Sequence, residues 1–125
     1  MKFDLELFDE FSSLFPPQDI REDLTKSSLA FGFECGEGWY ALIHEMLVKL
    51  KALNCKGLQI DQVKEKFGTL RVYYHMEEDD KYDEVNSIIA DYETMSEHTC
   101  EVCGAEGKMN TKGWFRVLCE DHTNV

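Results

Sequence analysis

Four residues near the C-terminus have the types and the spacing to hold a metal ion. Cys100, Cys103, Cys119 and His122 stand in the pattern Cys-x2-Cys-x15-Cys-x2-His. Two residues between paired ligands let one tight turn aim both side chains at a single ion, and two such knuckles facing each other complete a tetrahedron. Three thiolates and one imidazole form a zinc set. With all four positions supplied by protein, no place is left for a water or substrate, so the expected Zn2+ is structural. The competing readings are two disulfides or four unrelated side chains, and His98 is an alternative ligand whose adjacency to Cys100 makes joint coordination awkward. Gly104 suits the first knuckle turn. Gly107 and Gly113 bracket a short loop before the apolar run Trp114-Phe115-Arg116-Val117-Leu118.

A second set of residues points to anion chemistry. Leu58 to His75 reads as a β-hairpin turning at Phe67-Gly68, where glycine takes the positive φ that a two-residue turn needs. That register sets Lys66 opposite Thr69, Lys64 opposite Arg71, Gln62 opposite Tyr73 and Ile60 opposite His75. Lys64, Lys66, Arg71 and Tyr73 then share one face, while Val63, Leu70, Val72 and Tyr74 share the other, which packs on helices. Leu58 and Ile60 fall on the wrong side, so either a bulge near Asp61 or Gln62 is needed or the register is a different one. Directly opposed like charges destabilise an antiparallel pair by a few tenths up to about 1 kcal/mol. Such an arrangement makes sense around an anion: arginine offers a planar fork, lysine a point charge and Tyr73 a stacking face. The plain alternative is that Glu65 and neighbouring acids neutralise these cations in surface pairs worth little.

Elements must position both sets. Residues 3–15 place Leu7, Phe8, Phe11, Leu14 and Phe15 on one helical face, ended by Pro16-Pro17, and read as a docking helix for the core, with a partner-binding helix as the alternative. Ile20, Leu24 and a serine pair suggest a second, short helix. A glycine-rich approach, Cys35-Gly-Glu-Gly38, leads to a helix from about Trp39 to Leu53, with Trp39, Leu42, Ile43, Met46, Leu50 and Leu53 at helical spacing. Free amides before a helix attract anions, yet Glu34 and Glu37 sit in this loop, and a plain turn is the simpler reading. The acidic loop Glu77 to Asp80 serves as the start of another helix, to His98, whose stripe is Tyr82, Val85, Ile88, Ile89, Tyr92 and Met95. It runs into Cys100 and ties the metal knuckle to the core. The fold class is therefore α+β: amphipathic helices on a β-hairpin, with a C-terminal zinc-ribbon or knuckle subdomain. One domain is expected, residues 1–98 forming the core and 99–125 the zinc-binding part.

Charge narrows the partners. The net charge is −12 over 125 residues, which repels nucleic acid and anionic membranes unless cations concentrate somewhere. They do so between Trp39 and Met76, where Lys49, Lys51, Lys56, Lys64, Lys66 and Arg71 face only Glu45, Asp61 and Glu65. No apolar run approaches the roughly 20 residues of a membrane span, and the N-terminus carries acids rather than a basic leader. Three of five cysteines lie in the metal pattern, in keeping with a reducing compartment. Cys35 and Cys55 remain in the body, and their pairing is left open.

Three stretches together resemble a known family: Cys35-Gly-Glu-Gly-Trp39 opening a helix, Gln62-Val-Lys-Glu-Lys-Phe-Gly-Thr-Leu-Arg71, and the Cys100, Cys103, Cys119, His122 set preceded by Gly113-Trp114. The combination is similar to small proteins found in bacteriophage and bacterial genomes, over roughly residues 33 to 122, the hairpin motif being most specific. Members often carry a second glycine where this chain has Thr69. The resemblance implies an accessory protein of a phage or mobile element and assigns no activity; with neither span nor basic leader, the chain is expected in the cytoplasm of the host cell.

Chemistry and context together lead to one expectation of function. His44 and His75 are dispersed and lack an adjacent Ser or Cys partner, so a non-catalytic protein is expected. Its ligand would be an anionic small molecule, a nucleotide above all, held by Lys64, Lys66, Arg71 and Tyr73 with Trp39 and the loop before it. In a phage that means sequestering a host defence signal. A second reading is an acidic protein-interaction inhibitor whose helix faces, carrying Asp83, Glu84 and Asp91, imitate nucleic acid to a basic host protein. A third is zinc-ribbon recognition of nucleic acid through Lys108, Lys112 and Arg116, although Glu101, Glu106, Glu120 and Asp121 surround them and DNA is an unfavoured partner.

Overall fold

The computed structural model describes residues 2–77 and 80–123, with the backbone alone for Lys2 and Phe3. Its architecture is α+β. Helix α1 (Lys2–Glu10) continues through a 3-10 turn, and both bury the stripe expected of them: Leu7, Phe8, Phe11, Leu14 and Phe15 are all in the core. Phe8 meets Phe15 and Phe33 edge to face, at centroid distances of 4.9 and 5.1 Å. This helix is a core element. The short α2 (Gln18–Arg21) forms where a weak helix was expected, but Ile20 and Leu24 remain exposed. Leu24 lies beyond this helix, and a single turn is too short to present an apolar stripe.

A 3-10 turn, Glu37–Trp39, leads into α3 (Tyr40–Ala52), which buries Ile43, Met46, Leu47 and Leu50. Helix α4 (Tyr82–Ser96) buries Val85, Ile89 and Tyr92, while Tyr82 and Met95 at the ends of its predicted stripe stay exposed. Of the acidic run expected to start this helix, Glu78 and Asp79 lie outside the described residues.

The hairpin joins β1 (Gln59–Lys66) to β2 (Thr69–His75) through Phe67-Gly68. Both turn residues have positive φ, 53° and 87°, the pattern of a type I′ turn. Lys66 faces Thr69, Lys64 faces Arg71 and Gln62 faces Tyr73, as the turn predicts. Beyond Gln62 the register shifts, and Ile60 lies opposite Tyr74 rather than His75. The extra residue is Asp61. One added residue reverses which face each following side chain takes, and so Leu58 and Ile60 reach the core with Val63, Leu70 and Val72.

The outer edge of β2 is covered by side chains of α4. The Leu70 amide donates to Ser96 Oγ at 2.9 Å and the Val72 amide to Glu93 Oε2 at 3.0 Å. Both bonds satisfy donors that an edge strand otherwise leaves open. Ser96 is fully buried, so Ser96→Ala strands a buried N–H and is expected to lower the unfolding free energy by about 1–3 kcal/mol. A urea titration reads this directly; a midpoint identical to wild type would show that the hydroxyl is dispensable.

The C-terminal part adds β3 (Lys108–Asn110) paired antiparallel with β4 (Arg116–Leu118), then the single-turn α5 (Glu120–Thr123). Only the second half of the apolar run Trp114–Leu118 is strand. Trp114 and Phe115 lie in the loop before it, exposed. Among the described residues no helix is long and apolar enough to cross a membrane, and all five cysteines are thiols, Cys35 and Cys55 included.

Candidate metal centre and hairpin face

The Cys100 and Cys103 side chains come from the knuckle that follows α4, Cys119 from the end of β4 and His122 from α5. Their donor atoms all lie within 4.8 Å of one another. Cys103 Sγ is 3.6 Å from Cys119 Sγ, while His122 Nδ1 is 3.6 Å from Cys100 Sγ and 3.0 Å from Cys119 Sγ. A tetrahedral ion with sulfur at about 2.3 Å requires sulfur separations of about 3.8 Å, so the donor set fits an ion of zinc's size. His98 is not part of the cluster.

The backbone favours the thiolate at Cys100, while against the pull of the Ala105 amide the neighbouring sulfurs of Cys119 and Cys100 raise the Cys103 thiol. Burial alone would push the Cys100 thiol up, but amides of Cys119, Cys103 and Val102 directed at its sulfur hold it down to about 6. Knuckle geometry aims these amides: the Gly104 N–H donates to Cys100 O at 2.8 Å, and Gly104 itself sits at φ +85°. Cys100 and Cys119 are buried, His122 is half-buried and Cys103 is exposed. The centre therefore lies at the surface but backs onto the core.

Its attachment to the core runs through the glycine-rich loop. The loop does bind an anion, and the anion belongs to the chain: Glu101 Oε2 accepts the Gly36 amide at 2.9 Å, and Glu101 O accepts the Gly38 amide at 2.8 Å. A Cβ on Gly38 would stand 2.2 Å from Cys100 O, so only glycine allows the two backbones to meet. Glu101 is buried, and that burial pushes its carboxyl above the ordinary value, against the opposing pull of the Gly36 amide and of Arg116. Cys35, beside this junction, is pushed up to about 12 by burial and by the charges of Glu101, Asp4 and Glu65, which leaves it an inert thiol.

Trp39 belongs to this junction as well. It is fully buried, and its indole N–H donates to Thr99 O at 2.9 Å, next to the first ligand. The expectation that it contacts a ligand together with the hairpin is corrected: the indole packs where α3 begins and has no face toward solvent.

The other four hairpin residues do share one outward face. Lys64 and Arg71 are directly opposed, with Lys66 toward the turn and Tyr73, 44% exposed, toward the far end. Acids that the local sequence pattern did not reveal stand alongside. Glu34 forms a parallel bridge with Lys64 at the free edge of β1, accepting the Glu65 amide at 2.9 Å, and its carboxylate accepts from Gln62 Nε2 at 3.1 Å. Arg71 donates to Thr69 Oγ1 at 3.2 Å and lines a cleft of about 220 Å³ with Glu93 and Glu97. Burial raises the Glu93 carboxyl, while its bond from Val72 and the Arg71 charge pull it back. Comparison with known protein families, with curated proteins and with solved structures finds no match.

Proposed function

We propose that this chain is a non-catalytic binding module in which a zinc ion, held by Cys100, Cys103, Cys119 and His122, acts structurally as the staple of a small zinc ribbon. Its ligand is anionic and meets the outward hairpin face of Lys64, Lys66, Arg71 and Tyr73. The observation that carries this reading is the direct opposition of Lys64 and Arg71 in the middle of the hairpin. Opposed cations weaken the pair that holds them, and an anion bridging them reverses the sign of that contribution. A fork, a point charge and a phenol ring side by side match a phosphate attached to a base, which makes a nucleotide the favoured chemistry. Glu34 and Glu93 partly offset the inner pair, so the ligand's charge is best placed toward the turn, where Lys66 is exposed.

Native mass spectrometry of protein purified from cells tests both parts. A zinc mass in wild type, and a further adduct lost in Arg71→Ala without change in melting temperature, is the expected result. Zinc with no adduct in either protein would remove the support for ligand capture by this face, and a collapsed Arg71→Ala would make Arg71 a structural residue.

A further inference from the structure

The tips of the two hairpins meet. A Cβ on Gly68 would stand 2.7 Å from Met109 Sδ and 3.2 Å from the Phe115 carbonyl carbon, so the β1–β2 turn rests on the β3–β4 hairpin. Around this contact the protein exposes aromatic surface that its fold does not use. Phe67 is 68% exposed, Trp114 82% and Phe115 45%. Phe67 also occupies a position at φ 53° where asparagine is favoured and a bulky side chain is strained. An exposed ring in a strained turn brings nothing to the folded chain that asparagine would not bring better, and such strain is characteristic of contact sites.

Cations gather around the rings although the molecule as a whole is acidic. Residues 107–118 contain Lys108, Lys112 and Arg116 and no acid, in a chain of net charge −12. Lys66 places its Nζ 5.8 Å from the Phe67 ring. Two acids of this region are engaged: Glu65 accepts the Gly68 amide, and buried Glu101 holds the Gly36 amide and lies 4.0 Å from Arg116. A groove of about 800 Å³ runs along β3, with Lys108, Met109, Asn110 and Lys112 among its lining residues and Glu106 and Glu120 as its acids.

We propose that the joined hairpin tips, with Phe67, Trp114 and Phe115 as stacking faces and Lys66 and Lys112 as phosphate contacts, form a docking site for single-stranded nucleic acid. The inference rests on the reading of the chain as a binder of anionic ligands and names the class of ligand. Bases stack on aromatic rings regardless of sequence, while lysines track the backbone between them. Overall charge selects the single strand over other anions. A duplex or an anionic vesicle presents an extended surface that also faces the acidic body, whereas a flexible strand meets the tip alone.

The test titrates the zinc-loaded full chain with a fluorescein-labelled dT12 and U12, reading anisotropy together with the fluorescence of exposed Trp114. Binding with quenching is expected, with a log–log salt slope of about −1.4 for two neutralised phosphates. Trp114→Ala and Phe67→Asn should each weaken it about tenfold or more. Phe67→Asn should at the same time raise the melting temperature, since Asn-Gly is the favoured turn; a lower melting temperature would make the ring structural and overturn its role. Absence of binding at low salt overturns the proposal, as does preference for phosphatidylserine vesicles or a concentration-dependent dimer abolished by Trp114→Ala. If AMP or ATP binds equally to wild type, Trp114→Ala and Phe67→Asn but is lost in Arg71→Ala, the anionic-ligand reading stands and the docking site falls. If neither nucleotides nor oligonucleotides bind, both fall.

Discussion

Cys103→Ser is expected to release the proposed zinc and to unfold the chain from the first knuckle onward. The choice of residue isolates the cause. Cys103 is exposed, so replacing its sulfur with oxygen removes little packing, and the loss measured is that of the ligand. Among the described residues the buried apolar side chains of the C-terminal part are Cys100, Val117, Leu118 and Cys119, two of them donors to the site, and its ties to the core are a few hydrogen bonds through Glu101 and Thr99 and the contact at Gly68. In zinc-finger peptides the metal contributes on the order of 10–16 kcal/mol, all of it linked to folding. Far more than a small hairpin can supply is therefore removed at once. Metal content by elemental analysis should fall from one zinc per chain to near zero, and amide exchange over residues 100–123 should become fast. The helices and the first hairpin should retain slow exchange, because their core of Leu7, Trp39, Ile43, Leu50, Val63 and Leu70 contains no ligand. Unchanged metal content and melting would sink the zinc assignment.

Parts of this arrangement were legible in the chain. Ligand spacing and the Phe67-Gly68 turn are local patterns, each set by a few neighbouring residues, and both place their side chains as the pattern implies. Even the bulge at Asp61 followed from local parity, because Leu58 and Ile60 cannot be buried without it. What local pattern could not carry is pairing over distance. Glu101 answers the Gly36 amide across 65 residues, and nothing near either residue announces the other. Glu34 beside Lys64, and Ser96 and Glu93 on the β2 edge, are hidden for the same reason. Trp39 begins an apolar helical stripe next to a glycine-rich loop, a setting that fits a core residue and a ligand contact equally; only the packing of the knuckle against it decides. Trp114 and Phe115 form a continuous apolar run with Val117 and Leu118, and such a run does not distinguish strand from exposed loop.

Trp39→Ala is expected to cost about 3–5 kcal/mol, as for other fully buried large aromatics. Against a total of roughly 5–15 kcal/mol for a domain, that leaves the fold marginal or lost. Burial explains part of the effect, and the indole N–H explains where it spreads. Thr99 O, which accepts that N–H, precedes Cys100, and on the other side Gly38 lies against the Cys100 carbonyl. Removing the ring therefore loosens the start of α3 and the first metal knuckle together. Trp39→Phe separates the two contributions: most of the packing stays and only the donor is lost, a change of about 1–2 kcal/mol. If the bond to Thr99 couples core and metal site, Trp39→Phe should release zinc to a competing chelator faster than wild type while losing only a few degrees of melting temperature. A chelator rate equal to wild type would mean that the knuckle is held by Glu101 and the glycine loop, with the indole serving the core alone.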